Sequence, residues 1–265
     1  MTGRLVTSLT NATVKAMRAL HMRKEREETG LFLAEGLKIV TEAVDTGHAP
    51  RILLYGSGAQ EHPLLKSAVA ATAAARGEVI EVTTDILAKI SRRDNPQAVL
   101  GVFDQTWTSL EALDPHAAPC WVALQAVRDP GNLGTIIRTA DSAGCGGVIL
   151  VGDCVDPFSV EAVRATMGSV FAVKIAQAGD DAAGPRLPPR QECVVGTHLQ
   201  AAHDYRFAPY RRPTMILMGN EQAGLPDRFV DACDLTVKIP MRGRADSLNL
   251  SVATGIMVYA AMEGE

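Results

Sequence analysis

Three short segments combine side chains that could do chemistry with the glycines of tight turns. They are DPGNLGTIIRTA at 129–140, GNEQAGLP at 219–226 and PMRGRADSLNLSVA at 240–253. Five of their polar side chains could act together, namely an arginine, a carboxylate, two amides and a hydroxyl: Arg138, Glu221, Asn132, Asn249 and Ser247. A guanidinium is a poor base at neutral pH because it stays protonated, but it can grip a phosphate or stabilise developing negative charge.

Each of these residues also has an ordinary structural interpretation. Asn132 is placed to cap a helix, and Ser247 could cap another. Glu221 could be a solvated loop carboxylate and Arg138 a surface arginine, while Gly219 and Gly224 could be plain turn glycines. A shared site is favoured because the three segments come in order, each directly after an apolar strand.

The elements that must position these loops are buried parallel strands. The strands are expected at Val122–Val127, Thr214–Met218 and Leu235–Ile239. After the first loop, positions 133, 136, 137 and 140 are apolar, which is one face of a helix. Short apolar strands separated by helices predict a mostly parallel sheet covered on both faces, with ligands at the carboxyl ends of its strands.

The chain is predicted to hold two α/β units: residues 1–105, a linker at 106–119, and residues 120–265. The elements are assigned from apolar periodicity and turn residues. Strands are expected at Arg51–Tyr55, Val79–Val82, Ala98–Phe103, Gly147–Val151, Val170–Ile175 and Cys193–Thr197, and helices at Asn11–Glu28, Leu37–Thr46, Ala68–Ala75, Thr84–Ile90 and Phe158–Met167. Residues Ala176–Gln191 are expected to form a mobile loop. A final helix should begin near Ser247, with Leu248, Val252, Ile256 and Ala260 on one stripe.

The three loops together resemble the motifs of one enzyme family. NLGTIIRTA is similar to the N-x-G-x-x-x-R-T-A motif of the SpoU (TrmH-like) RNA methyltransferases, which belong to the SPOUT superfamily. ILMGNEQAGL resembles their second motif and IPMRGRADSLNLSVA their third. The N-terminal unit, with NATVKAMRALHMRKEREETGLFLAEG, more loosely resembles the family's substrate-binding extension, which is similar to the L30e ribosomal-protein fold.

This resemblance implies a fold and an activity. Family domains carry a C-terminal trefoil knot that holds S-adenosylmethionine, and they form homodimers. They methylate the 2′-hydroxyl of a ribose in tRNA or rRNA. Periodicity alone would not have predicted a knot, since true knots are rare in proteins.

The resemblance also assigns residues to roles. Arg138 is the residue expected to engage the 2′-hydroxyl, as base or as electrostatic clamp, with the other four polar residues of the loops orienting it. Residues matching the cofactor-binding positions are Leu217, Gly219, Ile239, Met241, Leu248 and Asn249, with Thr197 as a weaker candidate. Apolar walls suit an adenine ring, whose edge main-chain groups can bind.

A second subunit could supply part of the site. Asn132 and Arg138 are six residues apart. At ~100° per residue they are about 120° apart around a helix, so they do not share a face. Arg138 from the partner chain would accommodate this geometry, as in the family.

RNA contacts must come from local basic patches, because the net charge is −4. Arg18, Arg23 and Lys24 lie in a basic N-terminal stretch, whose alternative interpretation is a solvated helix face. Arg242 and Arg244 are better placed to meet RNA near the reacting ribose. Aromatic residues make up 5%, so base stacking is not expected to dominate. We expect rRNA rather than tRNA, and the modification could be housekeeping or antibiotic resistance.

The remaining features exclude other classes of protein. The chain shows no apolar run long enough to span a bilayer and no secretory signal pattern. Five cysteines without a pairing pattern indicate free thiols in a reducing cytoplasm. Histidine spacing predicts no metal site, and His198 and His203 are expected to be structural or at the surface.

Two alternatives remain, namely an RNA-binding relative without catalysis and an α/β oxidoreductase. The intact polar residues disfavour the first, and the missing dinucleotide fingerprint disfavours the second.

Overall fold

A computed structural model describes residues 4–59, 61–180 and 193–263. The chain divides into two compact units, and each unit is built from two stretches of sequence. The first unit comprises Met1–Thr106 and Asp156–Ala172, and the second comprises Trp107–Val155 and Val173–Glu265. The division differs from the expected single linker, because residues 156–172 belong to the first unit.

The first unit is a five-stranded sheet flanked by helices. Its strands lie in the order β1-β4-β3-β5-β2, in which β1, β4 and β3 are parallel and β5 is antiparallel to both of its neighbours. The strands are β1 Arg4–Val6, β2 Leu31–Glu35, β3 Ile52–Gly56, β4 Glu78–Val82 and β5 Val99–Asp104. The helices are α1 Ala12–Ala19, α2 Arg23–Thr29, α3 Leu37–Asp45, α4 Pro63–Ala74 and α5 Thr84–Ser91.

The basic stretch predicted as one helix from Asn11 to Glu28 is instead two helices. The side chain of Asn11 accepts hydrogen bonds from two backbone amides and caps α1, which ends before Leu20. The break turns Arg26 of α2 inward. Its guanidinium is buried, pairs with Asp156 at 2.6 Å and donates to the Leu20 carbonyl. Arg26 is therefore not available for contact with RNA.

Residues 156–172 complete the core of the first unit. Here α7 spans Val160–Thr166, which is shorter than the helix expected from Phe158 to Met167. The rings of Phe158 and Phe171 lie 5.0 and 5.6 Å from that of Phe32. The strand expected at Val170–Ile175 was wrong, since 169–171 is a 3-10 turn that carries Phe171 into this cluster.

The second unit holds a seven-stranded sheet in which every pairing is parallel, and this confirms the predicted mostly parallel architecture. The strand order is β10-β12-β9-β11-β6-β7-β8. The strands are β6 Cys120–Gln125, β7 Val148–Val151, β8 Ile175–Ala178, β9 Cys193–Thr197, β10 His203–Asp204, β11 Thr214–Met218 and β12 Leu235–Lys238. The helices are α6 Pro130–Ala143, α8 Asp227–Val230 and α9 Leu250–Glu263.

Of the two long helices of the second unit, α6 has the predicted buried face and α9 does not. The stripe at 133, 136, 137 and 140 is fully buried on α6, as predicted. The last helix begins at Leu250 rather than near Ser247, and it buries Thr254, Met257, Val258 and Ala261 instead of the predicted stripe. Of the expected mobile loop, residues 176–178 lie in β8, and residues 181–191 lie outside the described part of the chain.

All five cysteines are free thiols, which confirms that prediction. Within residues 4–59, 61–180 and 193–263, no helix is both long and apolar enough to cross a membrane. The same described residues contain no group of three or more side chains that could hold a metal ion.

Candidate active site

The three polar loops meet because their strands run parallel. β11 lies between β6 and β9 in the second unit, and β12 pairs with β9 on the other side. The carboxyl ends of parallel strands lie at one edge of a sheet, so the loops after β6, β11 and β12 emerge together. We call these loops the first, second and third loops.

In the first loop, Asp129 and not Asn132 caps α6. The Asp129 carboxylate accepts the backbone N–H of Asn132 at 2.6 Å. Pro130 takes the first helical position, where its missing N–H costs nothing. The predicted cap at Asn132 is therefore wrong, because the helix starts earlier and places Asn132 within its first turn. That shift frees the Asn132 side chain for other contacts.

Glu221 of the second loop ties that loop to the first. Its carboxylate accepts the backbone N–H groups of Arg128 and Asp129, both at 3.2 Å. It also accepts from Nδ2 of Asn132 at 3.3 Å. A carboxylate is well placed here, since the amino end of a helix carries partial positive charge and unpaired N–H groups. Although exposed, Glu221 is thus an organised residue rather than a freely solvated one.

Asn249 joins the third loop to the same network. Its Nδ2 donates to Oδ1 of Asn132 at 2.9 Å. Its own Oδ1 accepts the Ser251 backbone N–H and hydroxyl at 2.9 and 2.7 Å, and it caps α9 in the place considered for Ser247. Each amide donates at one end and accepts at the other, so the two side chains have fixed orientations. The chain Glu221–Asn132–Asn249 links all three loops, and we call it the amide relay.

Ser247 and Arg138 lie outside the amide relay. The Ser247 hydroxyl donates to Asp246 at 3.2 Å and faces the cavity described below. Arg138 lies in the middle of α6 with an exposed side chain. Its guanidinium makes no ion pair or hydrogen bond with the described part of the chain. The structure therefore brings together Asn132, Glu221 and Asn249, and leaves Arg138 pointing elsewhere.

A cavity of about 410 Å³ opens beside the relay. This volume lies within the usual range of small-ligand sites, ~300–1,000 Å³. Of the predicted cofactor positions, those lining the cavity are Thr197, Gly219, Ile239, Met241 and Leu248. Leu217 is buried in the core behind the cavity, and Asn249 is held in the relay. Apolar side chains from the second and third loops form one wall, while Glu221, Lys238 and Asp246 place charges around it.

Gly219 permits the close turn that forms one side of the cavity. A Cβ at this position would lie 2.2 Å from backbone atoms of Gly224 and Leu225. Gly224 itself has a positive φ of 71°. Asn220 and Gly224 exchange two backbone hydrogen bonds across the turn, at 3.1 and 2.9 Å.

Sequence reasoning missed two residues of this site. Asn220 donates through Nδ2 to the Ala126 carbonyl at 2.7 Å, while its Oδ1 accepts the Gln222 N–H at 2.9 Å. An asparagine between turn glycines is a signal for such a side-chain-to-backbone turn. His198 lines the cavity, although we expected a structural or surface role. No spacing in the sequence distinguishes this position.

The candidate RNA-binding residues lie on both units. In the first unit Arg18 is exposed, whereas Arg23 pairs with Glu27 at 2.7 Å and Lys24 with Glu28 at 3.6 Å. In the second unit Arg242 and Arg244 are exposed on the third loop. Exposed ion pairs of this kind are weak and break easily when a phosphate competes for the cation.

Two groups of the second unit have displaced pKa values. Hydrogen bonds from Arg206, with a smaller contribution from Arg242, lower the pKa of Asp204 to about 2. Burial raises the pKa of the Cys233 thiol to about 12. The carboxylate therefore stays charged and the thiol stays neutral at physiological pH.

Comparison with known proteins extends the similarity over both units. Residues 119–259 match the SpoU rRNA Methylase family, and residues 11–101 match the MRM3-like substrate binding domain. The 23S rRNA (guanosine(2553)-2′-O)-methyltransferase RlmP of Bacillus subtilis is 30% identical over 96% of this chain and 97% of its own. The 23S rRNA (uridine(2479)-2′-O)-methyltransferase of Streptomyces viridochromogenes is 33% identical over 91% of this chain and 85% of its own.

A solved structure is similar along nearly the whole chain. The AdoMet-bound rRNA methyltransferase from Sinorhizobium meliloti has a TM-score of 0.90 and 49% identity, and the match covers 97% of each chain.

Proposed function

Because the chain belongs to the SpoU rRNA methylase family, we propose that it transfers a methyl group from S-adenosylmethionine to a ribose 2′-hydroxyl of rRNA. The amide relay carries this proposal, since it brings the polar residues of three separate loops together beside a ligand-sized cavity. Relatives that match most of the chain are named as 23S rRNA 2′-O-methyltransferases, which supports rRNA over tRNA as the substrate.

The cavity fits the proposed cofactor. Its apolar wall, with Ile239, Met241 and Leu248, suits an adenine ring, and the loop backbones offer N–H and C=O groups for the ring edge. Thr197 and Gly219 would border the same ligand. Bound S-adenosylmethionine supplies an electrophilic methyl group on a sulfonium. Leu217 would support the wall from the core behind it.

The chain's own residues would position the acceptor ribose and manage its charge. Glu221 fixes the first loop, and Asn132 and Asn249 then hold the third loop against it. Such fixed geometry lowers the barrier, because donor and acceptor must lie in line for a displacement. Arg138 would engage the 2′-hydroxyl and stabilise the negative charge that develops on its oxygen. Ser247 is available at the cavity to orient the ribose.

We also propose that the active enzyme is a homodimer, with Arg138 supplied by the partner chain. Two features support this. Arg138 does not line its own chain's cavity, and α9 leaves Val252 and Tyr259 52% and 51% exposed on the face opposite its buried one. Exposed apolar residues along one helix face are typical of an interface between copies.

Mixed dimers test this arrangement. An Arg138→Ala chain and an Asn249→Ala chain should each be inactive alone. Since half of randomly paired dimers are mixed and one of their two sites is intact, mixing should restore about a quarter of wild-type activity. No recovery, with mixed dimers confirmed by mass, would contradict a shared site.

The C-terminal segment is proposed to form a trefoil knot, as the family resemblance implies. The strand order supports it. β12 lies beyond β9 in the sheet, yet α9 packs against α6, β11 and β6. The chain must therefore turn back past the second loop after β12.

The enzymatic proposal is tested by tritium transfer from labelled S-adenosylmethionine. Separate rRNA and tRNA pools should come from a strain that lacks this gene. Label is expected in rRNA, and it should disappear with Arg138→Ala but remain with Arg93→Ala, an exposed arginine of the first unit. Label in tRNA alone would show that tRNA, and not rRNA, is the substrate. Cofactor binding without label in either pool would favour an RNA-binding protein without catalysis.

A further inference from the structure

Phe207 is 79% exposed, more than any other large apolar side chain among the described residues. It comes after β10 in a short 3-10 turn, Tyr205–Phe207. An aromatic ring presents a large apolar surface, and water is a poor solvent for it. A ring this exposed leaves its surface available to a partner.

The position of Phe207 relates it to the cavity. β10 pairs in parallel with β12, so that Asp204 lies beside Lys238. Lys238 and the next residue, Ile239, line the cavity. Phe207 comes three residues after Asp204, and its Cα therefore lies within ~11 Å of that residue. Phe207 thus closely follows a strand that pairs with the cavity-lining end of β12.

The surroundings of Phe207 are basic, although the whole chain has a net charge of −4. The segments 203–207 and 238–246 carry four cations and two acids. The cations are Arg206, Lys238, Arg242 and Arg244. The Arg206 guanidinium lies over the Phe207 ring, 5.3 Å from its centroid, and also pairs with Asp204 at 2.6 Å.

A polyanion with flat rings fits this surface better than a second copy of the chain does. Where such a patch lies on the axis of a two-fold dimer it meets its own copy, and four cations would then face four others. A single-stranded nucleic acid offers the complement, since its phosphates neutralise arginines and its bases stack on aromatic rings. Unpaired bases of RNA stack both on aromatic rings and on arginine guanidinium planes.

We propose that Phe207 is a stacking platform for a base next to the methylated nucleotide, with Arg206 and Arg242 contacting the adjoining phosphates. This inference rests on the proposed function and adds to it a specific site that holds single-stranded RNA. It also predicts that the target ribose lies in a loop or an unpaired segment, because a paired base could not reach the ring.

Fluorescence anisotropy with a labelled 12-nucleotide oligo(A) RNA tests the platform on the full chain. Phe207→Ala should weaken binding about 5- to 150-fold, the range for loss of one stacked base. Phe207→Leu should behave in the same way, since it keeps apolar area without a π face, whereas Phe207→Tyr should bind within about threefold of wild type. Leu64→Ala removes another exposed apolar side chain, on α4, and should change nothing.

The salt dependence of RNA binding distinguishes the contribution of the Phe207 ring from that of the arginines. Phe207→Ala should leave the slope of log affinity against log salt unchanged, while Arg242→Gln should reduce it by about 0.7 for each phosphate that the protein no longer neutralises. Light scattering and cofactor titration accompany each variant, and both should match wild type.

Four results would overturn the proposal: normal methyl transfer by Phe207→Ala, unchanged RNA binding by Phe207→Ala, equal binding by Phe207→Leu and wild type, or a change of oligomeric mass in Phe207→Ala. A change of oligomeric mass would show that the Phe207 ring contacts a second copy of the chain. Methyl transfer to rRNA by the wild type, run in parallel, keeps the two proposals apart. Transfer that proceeds normally with Phe207→Ala refutes the platform alone, and its absence in the wild type refutes the enzymatic function.

Discussion

Replacing Gly219 by alanine should damage the cavity through one steric contact. The added Cβ would lie 2.2 Å from the backbone carbon of Gly224 and the backbone nitrogen of Leu225. Ordinary contacts begin at about 3.4 Å, so one side of the turn must move by about 1 Å. Gly219 does not have a positive φ, and alanine therefore brings no backbone strain of its own.

A shift of the turn at Gly219 would also move the residues that hold the first loop. Gly219 directly precedes Asn220 and Glu221, which hold the first loop, and it lines the cavity itself. A misplacement of about 1 Å in an active site can lower the catalytic rate ~10²-fold, and we take the same magnitude for the loss of cofactor affinity. We therefore expect the dissociation constant for S-adenosylmethionine to rise about 100-fold, equivalent to ~2.7 kcal/mol.

Gly243→Ala is the matched control. Gly243 lies in the third loop, has no positive φ, and an added Cβ would meet no atom within 4 Å. Isothermal titration should give wild-type affinity within about twofold for this variant. Circular dichroism should show both variants folded. If Gly219→Ala bound S-adenosylmethionine as tightly as Gly243→Ala, the steric reasoning and the assignment of the cavity would both be refuted.

Three further predictions concern Glu221 of the amide relay, Asn220 of the second loop and His21 of the first unit. Glu221→Gln keeps the size of the side chain but leaves one acceptor oxygen for four donors, so methyl transfer should fall about tenfold and stability by ~1 kcal/mol. Asp231→Asn, the same change on an exposed acid, should do neither. Asn220→Ala removes the hydrogen bond to the Ala126 carbonyl and should raise the KM for S-adenosylmethionine more than it lowers kcat, and equal effects in steady-state kinetics would contradict this. Burial lowers the pKa of His21 below 6.5, so its contribution to stability is complete above pH 6.5 and declines as the pH falls toward the lower value. Urea unfolding from pH 7.5 to 5 should show this decline, and His21→Gln should reduce it.

The strands and loops of the site were predictable because their signals are local. A buried parallel strand is a continuous apolar run, and Cys193–Thr197 and Thr214–Met218 were predicted to the residue. Turn glycines and polar motif residues mark the loop after each strand. The family resemblance supplied the cofactor, and five of its seven predicted binding positions do line the cavity.

Helix ends and faces were less predictable because neighbours decide them. Asn132 and Asp129 are both good caps, and only the start of α6 at Pro130 shows which of them caps. The α9 stripe of Val252 and Ile256 is as apolar as the buried face, so hydrophobicity could not say which side packs inside this chain.

The sequence by itself determined the two α/β units, the parallel sheet and the polar residues proposed to do the chemistry, since each depends on residues close together in the chain. Only the tertiary structure decided that residues 156–172 complete the first unit, that Asn132 bridges Glu221 and Asn249, and that Phe207 is exposed at the surface. These relations join residues as much as 117 positions apart. Such contacts form through the packing of whole elements, and no local pattern records them.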